Sequence, residues 1–342
     1  MSDTQTTLAA IAAEAGVSQP TVSKVLNGRP DVAPATRERV EQLLLRAGYV
    51  RRRRPSTGAE TPRILGIDLA LPLIVGPWAT EIVRGVETAA RGHGAVVSLF
   101  ELGEHNEHAD SWLESAITRS PAAALLVFTT LSPQRQRRLR ARGIPCVLID
   151  PAADEIEELP SVGSSNFQGG RTAARHLIDL GHERIGVIGG PTEQLACRAR
   201  VAGFKDVMGT SGVPIDPTLF GSAPMSVEGG YEQALRLLSL EPRPSAIFAS
   251  SDLQALGVYR AAVSLGLAIP GDLSVVGYDG LPVCDWVSPE LTSVAQPLAE
   301  MTAQAVDLAL DLASGKRSNH THVDLTVRLQ VRRSTSPPGP SS

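Results

Sequence analysis

Read as a helix, the residues after Ser18 separate into two chemistries. At about 100° per residue, Val22, Val25 and Leu26 fall on one side, while Gln19, Pro20, Ser23, Lys24 and Asn27 share the other. The polar side carries groups able to read or hold a nucleic acid. Gln19 has the donor and acceptor that match an adenine edge, and Lys24 the donors that match guanine. Thr7, Ser18, Thr21, Ser23 and Asn27 offer short hydroxyl and amide groups suited to phosphate oxygens, contacts that fix register without reading sequence. The competing reading of this face is a solvated surface on a small helical cap.

Two more helices are needed to hold that face. Thr7 or Thr6 caps a first helix whose Leu8, Ile11, Ala12 and Ala15 fall at i, i+3, i+4 and i+7, and Gly16 ends it. Ser18 caps the second, with Pro20 tolerated in a first turn whose N–H groups lack helical partners anyway. The third runs from about Pro34 to Ala47 on Val40, Leu43, Leu44 and Ala47, and Gly48 stops it. Two helices joined through a tight glycine turn and closed by a third predict a helix-turn-helix, whose second helix enters the major groove. Charge agrees. Residues 1–60 hold 9 Lys and Arg against 6 Asp and Glu, whereas the rest holds 23 against 30. A basic head on an acidic body suggests a nucleic-acid-binding module joined to a unit with another task.

Residues 50–62, VRRRRPSTGAETP, read as a linker. Arg51, Arg52, Arg53 and Arg54 form either an arm along phosphates or the minor groove, or a solvated charge run on a tether. From Arg63 onward, short β-branched runs such as ILGIDLAL, AALLVFTT, RIGVIGG and SVVGYDG alternate with amphipathic stretches, in two series. That pattern predicts an α/β body of two doubly wound parallel-sheet subdomains. Ligands of such sheets bind beyond the carboxyl ends of the strands, which singles out residues such as Asp150 after PCVLID. Signals for catalysis are missing: there is no P-loop, no GxSxG and no GxGxxG after a first strand. His105 with His108, and His320 with His322, lack partners at ligand spacing, so no metal, cofactor or enzymatic activity is expected. Cys146, Cys197 and Cys284 are odd in number and far apart, which predicts reduced core or pocket thiols. No apolar run approaches the roughly 20 residues of a membrane span, and MSDTQTTLAA lacks a signal-peptide pattern, so a cytoplasmic protein without a membrane partner is expected.

The stretch TLAAIAAEAGVSQPTVSKVLNGRPDVAPATRERVEQLLLRAGY resembles the DNA-binding domain of the LacI/GalR family of bacterial transcription regulators, in the order AxxAGVSxxTVSxVLN, TRxRV, GY. The resemblance implies base contacts at Gln19, Pro20 and Lys24, Pro20 offering only apolar contact. In that family the linker forms a hinge helix whose Leu wedges into the minor groove; here Pro55 and Gly58 occupy the helical Ala and wedge positions. Proline inside a helix costs about 3 kcal/mol, so a regular hinge helix is not expected.

The body resembles the family's periplasmic-binding-protein-like effector domain through SVGSSNFQGGRTAARHLIDLGHERIGVIGGP, RARVAGF, SSDLQALGVYRAA and SVVGYDGLPV. This implies a cleft Arg at Arg200 and a cleft carboxylate at Asp279, which can bind vicinal hydroxyls from opposite sides. It places a ligand-stacking aromatic at Trp78, for which core packing is the rival role. Trp286 lines the same cleft or packs at a crossover. Ser251 stands where the family has Asn, Met225 where a second aromatic is common, and Leu298 where another ring sits. The implied protein is a nucleoid-associated homodimeric repressor of pseudo-palindromic double-stranded operator DNA, controlled by a small sugar. The alternative effector is a nucleobase, an aromatic acid or a phosphoprotein corepressor. The expected domains are a head over 1–50, a basic linker over 51–62, a body over 63–335 and a disordered tail over 336–342. Within the body, 63–160 with the crossover part 297–317 forms one subdomain, and 161–296 with 318–335 the other.

Overall fold

The computed structural model describes residues 7–26, 31–47, 65–129, 131–151, 159–316 and 322–339. Asn27, Arg51 to Arg54, Pro55 and Gly58, and with them the hinge-helix and arm readings, lie outside the described residues. Thr7 accepts a hydrogen bond from the Ala10 N–H at 3.3 Å and Gly16 turns left-handed at φ 64°, which bounds α1 (Leu8–Ala15). Ser18 Oγ accepts from the Thr21 N–H at 3.3 Å at the start of α2 (Gln19–Leu26), and α3 (Pro34–Arg46) completes the head. Ile11, Ala15, Val22, Val25, Val40 and Leu44 bury their side chains in one core, the apolar face that the helical periodicity predicts.

In the body, β1 (Leu65–Leu71), α4 (Gly76–Gly92), β2 (Ala95–Glu101), α5 (Ala109–Arg119), β3 (Ala123–Val127), α6 (Pro133–Ala141), β4 (Cys146–Ile149) and β5 (Ser161–Ser164) make the first series. The second comprises α7 (Asn166–Asp179), β6 (Ile185–Gly189), α8 (Leu195–Thr210), β7 (Phe220–Ser222), α9 (Val227–Leu238), β8 (Ala246–Ala249), α10 (Asp252–Ser264), β9 (Ser274–Asp279) and β10 (Thr292–Ala295). The chain ends with α11 (Leu298–Ala313), β11 (His322–Leu325) and β12 (Arg328–Gln330). Two six-stranded sheets result, ordered β11-β5-β4-β3-β1-β2 and β12-β10-β9-β8-β6-β7, parallel except for the antiparallel pairing of β10 with β12. Buried strands such as β3 and β9 are covered by helices on both faces, as continuous β-branched runs require.

Three expectations change. The SVGS segment, assigned by sequence to the second subdomain, pairs with β4 and with β11 in the first sheet, so the chain crosses at Ser165 rather than at 161. Residues 318–335, assigned by sequence to the second subdomain, divide between the two: β11 belongs to the first sheet and β12 to the second, with Val327 buried in the second core. Short strands are assigned by their ladder partners, and the β5–β11 partners lie more than a hundred residues apart in sequence. The tail is also held. The Ser336 N–H donates to Ser274 Oγ, and Ser274 Oγ donates to the Ser336 carbonyl, each at 3.0 Å. The chain therefore stays on the second subdomain through Gly339, and 340–342 lie outside the described residues.

Candidate functional site

Two regions gather the sequence-selected residues. In the head, Gln19, Pro20 and Lys24 are exposed opposite the buried Val22, Val25 and Leu26. Thr7, Ser18 and Thr21 take part in helix capping, with Ser18 Oγ and Thr21 Oγ1 2.8 Å apart, and Ser23 is half-buried. Lys24 Nζ lies 2.6 Å from Asp31 Oδ2, an exposed pair that sequence reading missed because Asp31 lies beyond the helix.

In the body, the residues that follow strands carry unusual backbone. Phe128, Asp150 and Asp279 have φ values of 45°, 51° and 112° at or just beyond the carboxyl ends of strands, and Asn106, at 59°, lies in the loop after β2. Positive φ in non-glycine residues costs energy and concentrates where a side chain must be aimed. Asp150 and Asp279 are buried, one from each sheet.

Arg200 is set by the packing of α7 against α8. A side chain at Gly170 would collide with the Arg200 backbone carbonyl, so glycine permits the close approach that sinks this Arg into the protein at 1% exposure. Its Nε donates to Asn166 Oδ1 at 2.8 Å, and Nη1 donates to the Ser250 carbonyl at 2.7 Å and to Asp279 Oδ1 at 3.2 Å. The guanidinium carbon sits 3.8 Å from the Tyr278 ring centroid. Asp279 Oδ1 also accepts from Gln296 Nε2 at 2.7 Å, while Gln296 Oε1 accepts from Ser164 Oγ at 2.9 Å. Asn166 Nδ2 closes the circuit by donating to the Ser164 carbonyl at 3.1 Å. This ring of buried hydrogen bonds occupies two of the crossings, β5 to α7 and β10 to α11.

Burial pushes the Asp279 carboxyl upward, opposed mainly by Arg200, and raises Asp150 to about 6 against the same Arg. Asp150 Oδ2, Ser250 Oγ and Tyr278 Oη are buried without a hydrogen-bond partner among the described residues. Such atoms need an explanation, and a ligand or water that they bind is the usual one. Asp252, which no sequence signal selected, accepts from the Leu281 N–H at 2.7 Å and from Ser293 Oγ at 2.5 Å, tying α10 to the end of β9.

The other candidates separate. Trp78 is half-buried and stacks on Phe128, ring centroids 4.6 Å apart, against the first core. Ser251 is buried as the cap of α10, accepting from the Gln254 N–H at 3.2 Å. Met225 lies 3.6 Å from Cys197 Sγ, and Leu298 is buried in the first core. Trp286 is 75% exposed after a short 3₁₀ turn and joins neither the buried network nor a crossover core. Asn166, Ser164, Gln296, Ser250, Tyr278 and Phe128 went unnoticed in the sequence. Cys146, Cys197 and Cys284 are buried free thiols. Among the described residues no cluster of His, Cys, Asp and Glu could hold a metal ion, and no helix is long and apolar enough to cross a membrane.

Residues 7–52 match the family described as bacterial regulatory proteins, lacI family, and residues 174–335 match the periplasmic binding protein-like domain. The chain is 32% identical over 339 residues to the HTH-type transcriptional repressor CytR of Escherichia coli K12, covering 97% of both. It is similar to the solved complex of the transcriptional regulator CelR with cellobiose, at a TM-score of 0.72 and 30% identity, over 96% of this chain and 99% of that one. It is similar also to the lac repressor dimer bound to operator and the anti-inducer ONPF, at a TM-score of 0.70 and 26% identity, over 97% of this chain and 99% of that one.

Proposed function

The chain belongs to the LacI family of bacterial DNA-binding transcriptional regulators, and from that premise we propose a homodimeric repressor that releases a pseudo-palindromic operator when a small sugar occupies its interdomain cleft. Gln19, Pro20 and Lys24 face base edges; Thr7, Ser18, Thr21 and Ser23 hold phosphates, joined in the same role by Asn27 and Arg51 to Arg54. Lys24 exchanges Asp31 for a guanine edge on binding. The protein works on the chromosome, in the cytoplasm. Exposed apolar side chains on the body, such as Val96 on the edge strand β2, support pairing through the body.

The observation that carries the effector reading is the buried Arg200–Asp279 pair in a hydrogen-bonded ring that spans two crossings. A polyol that bonds Arg200, Asp279 and Asp150 replaces parts of that ring, and the Trp78–Phe128 stack suits the apolar face of a pyranose. Because the ring holds the chain where it passes between subdomains, a ligand that binds one arrangement more tightly shifts their relation and, through the dimer, the spacing of the reading helices. Met225, Ser251 and Trp286 are further effector contacts in the same reading.

The experiment pairs fluorescence anisotropy of an operator fragment with a thermal-shift screen of sugars, nucleobases and aromatic acids. A sugar that raises the melting temperature and releases operator supports the reading; release by another class alone overturns the sugar assignment. In the head, Lys24→Ala costs about 1–3 kcal/mol at one base position and relaxes preference there. Anisotropy against single-base operator variants checks it, and unchanged preference overturns the reading-helix assignment.

A further inference from the structure

Asp150, Gly163 and Asp324 stand side by side at the carboxyl ends of three neighbouring strands. Asp324 of β11 is in register with Gly163 of β5, and the Asp150 N–H bonds the Val162 carbonyl at 2.9 Å. A side-chain carbon on Gly163 would lie 3.2 Å from Asp324 Oδ1 and 3.9 Å from Asp150 Oδ1, so the two carboxylates flank the one residue that leaves the row open. Above this row is a cavity of about 340 Å³ lined by both carboxylates, Gly163, Asn166, the half-exposed ring of Phe167 and Ala196. Among the described residues no Lys, Arg or His lines it. The nearby cation Arg200 is committed to Asn166, Asp279 and the Ser250 carbonyl. Asp150 is 3% exposed, and its Oδ2 has no partner among the described residues.

A neutral sugar hydroxyl could bond one carboxylate oxygen, but it does not offset two negative charges facing each other across a glycine. A buried carboxylate is retained at low cost only when a positive group meets it. Aromatic faces such as that of Phe167 also attract cations. We infer that the effector bears a protonated amine, which docks between Asp150 and Asp324 against Phe167, while its hydroxyl-bearing part reaches Arg200 and Asp279. This rests on the reading of the cleft as the effector site, and it narrows the class from sugars to amine-bearing polyols such as amino sugars.

The test uses the full chain and calorimetric titration with three probe sets: neutral monosaccharides, their 2-amino-2-deoxy counterparts, and non-sugar amines such as putrescine and ethanolamine. Each is titrated against wild type and Asp324→Asn, a substitution at an exposed position that leaves the core untouched. An amino sugar is expected to bind about tenfold tighter than its neutral counterpart, the order of one charge-assisted hydrogen bond. Asp324→Asn brings the two toward parity, through a loss that falls mainly on the amino sugar. Binding by non-sugar amines alone, lost in Asp324→Asn, keeps the amine inference and sinks the sugar reading. Neutral sugars that bind as tightly as amino sugars, with no effect of Asp324→Asn, overturn the inference and keep the sugar reading. Silence from every amine overturns it as well.

Discussion

The two sheets repeat one strand order, yet the walls they turn toward the cleft are built oppositely. On the second subdomain, Arg200 and Asp279 satisfy each other and are braced by Ser250, Gln296 and the Tyr278 ring. On the first, an aromatic stack stands beside Asp150, which is equally buried but keeps one oxygen unpartnered. The charges of one wall are paired, although its Ser250 Oγ and Tyr278 Oη lack partners among the described residues, and the other wall leaves a charge open. The difference teaches that burial alone does not mark a binding residue: charges that complete each other hold the fold as well as the ligand, whereas a charge left incomplete strains the fold until a ligand arrives.

The largest test breaks the finished wall. Asp279→Ala leaves Arg200 buried with its charge uncompensated, and removal of one partner from a buried pair costs about 3–5 kcal/mol. Urea unfolding of the full chain should show that loss. A cost under about 1 kcal/mol, the value of an exposed ion pair, would mean that the second wall is no more finished than the first.

The next test acts on the open wall and has the opposite sign. Burial raises the Asp150 carboxyl from 3.8 to about 6, so the folded state favours its protonated form. The stability that Asp150 contributes is present below about pH 4 and lost as pH rises through about 6. At pH 7.5 the residue is a liability without ligand, and Asp150→Asn should stabilise the protein by about 3 kcal/mol, since each pKa unit is worth about 1.4 kcal/mol. Burial also raises Asp252 and Asp279, so the diagnostic is the difference between wild type and variant across pH 4 to 7.5 rather than either curve alone. The variant must bind effector more weakly while melting higher. A variant that melts lower at pH 7.5 would show that Asp150 is as structurally committed as Asp279.

What sequence could reveal follows the same division. The head was legible because its signals are local: Thr7, Gly16 and Ser18 bound helices through contacts within a few residues. Arg200 and Asp279 were reachable through the family resemblance, and Asp150 through the rule that ligands lie beyond strand ends. Their supports were not. Ser164 and Gln296 are 132 positions apart, and nothing in either neighbourhood announces that two crossings of the chain bring them together. The SVGS segment carries no strong strand pattern, so its place in the first sheet depended on β4 and β11 being present to pair with it. Trp286, a large aromatic near a site residue in sequence, is 75% exposed and packs into no buried core, which sequence proximity alone could not tell.

The smallest expected effect on stability is the most informative about how the two walls communicate. Ser164 belongs to the first sheet and Gln296 to the second crossing, and their bond is a direct link between the open side and the finished one. Ser164→Ala leaves Gln296 Oε1 without its donor and should cost about 1 kcal/mol, a modest drop in melting temperature. If that bond exists in only one arrangement of the subdomains, its loss re-weights them by the same energy and shifts the effector concentration for half-release of operator about fivefold. Operator affinity without effector should move in step, because one equilibrium governs both. If the half-release concentration stays within twofold of wild type while the stability loss is observed, the bond persists through the switch, and communication between the walls must run through Asn166 and Arg200 instead.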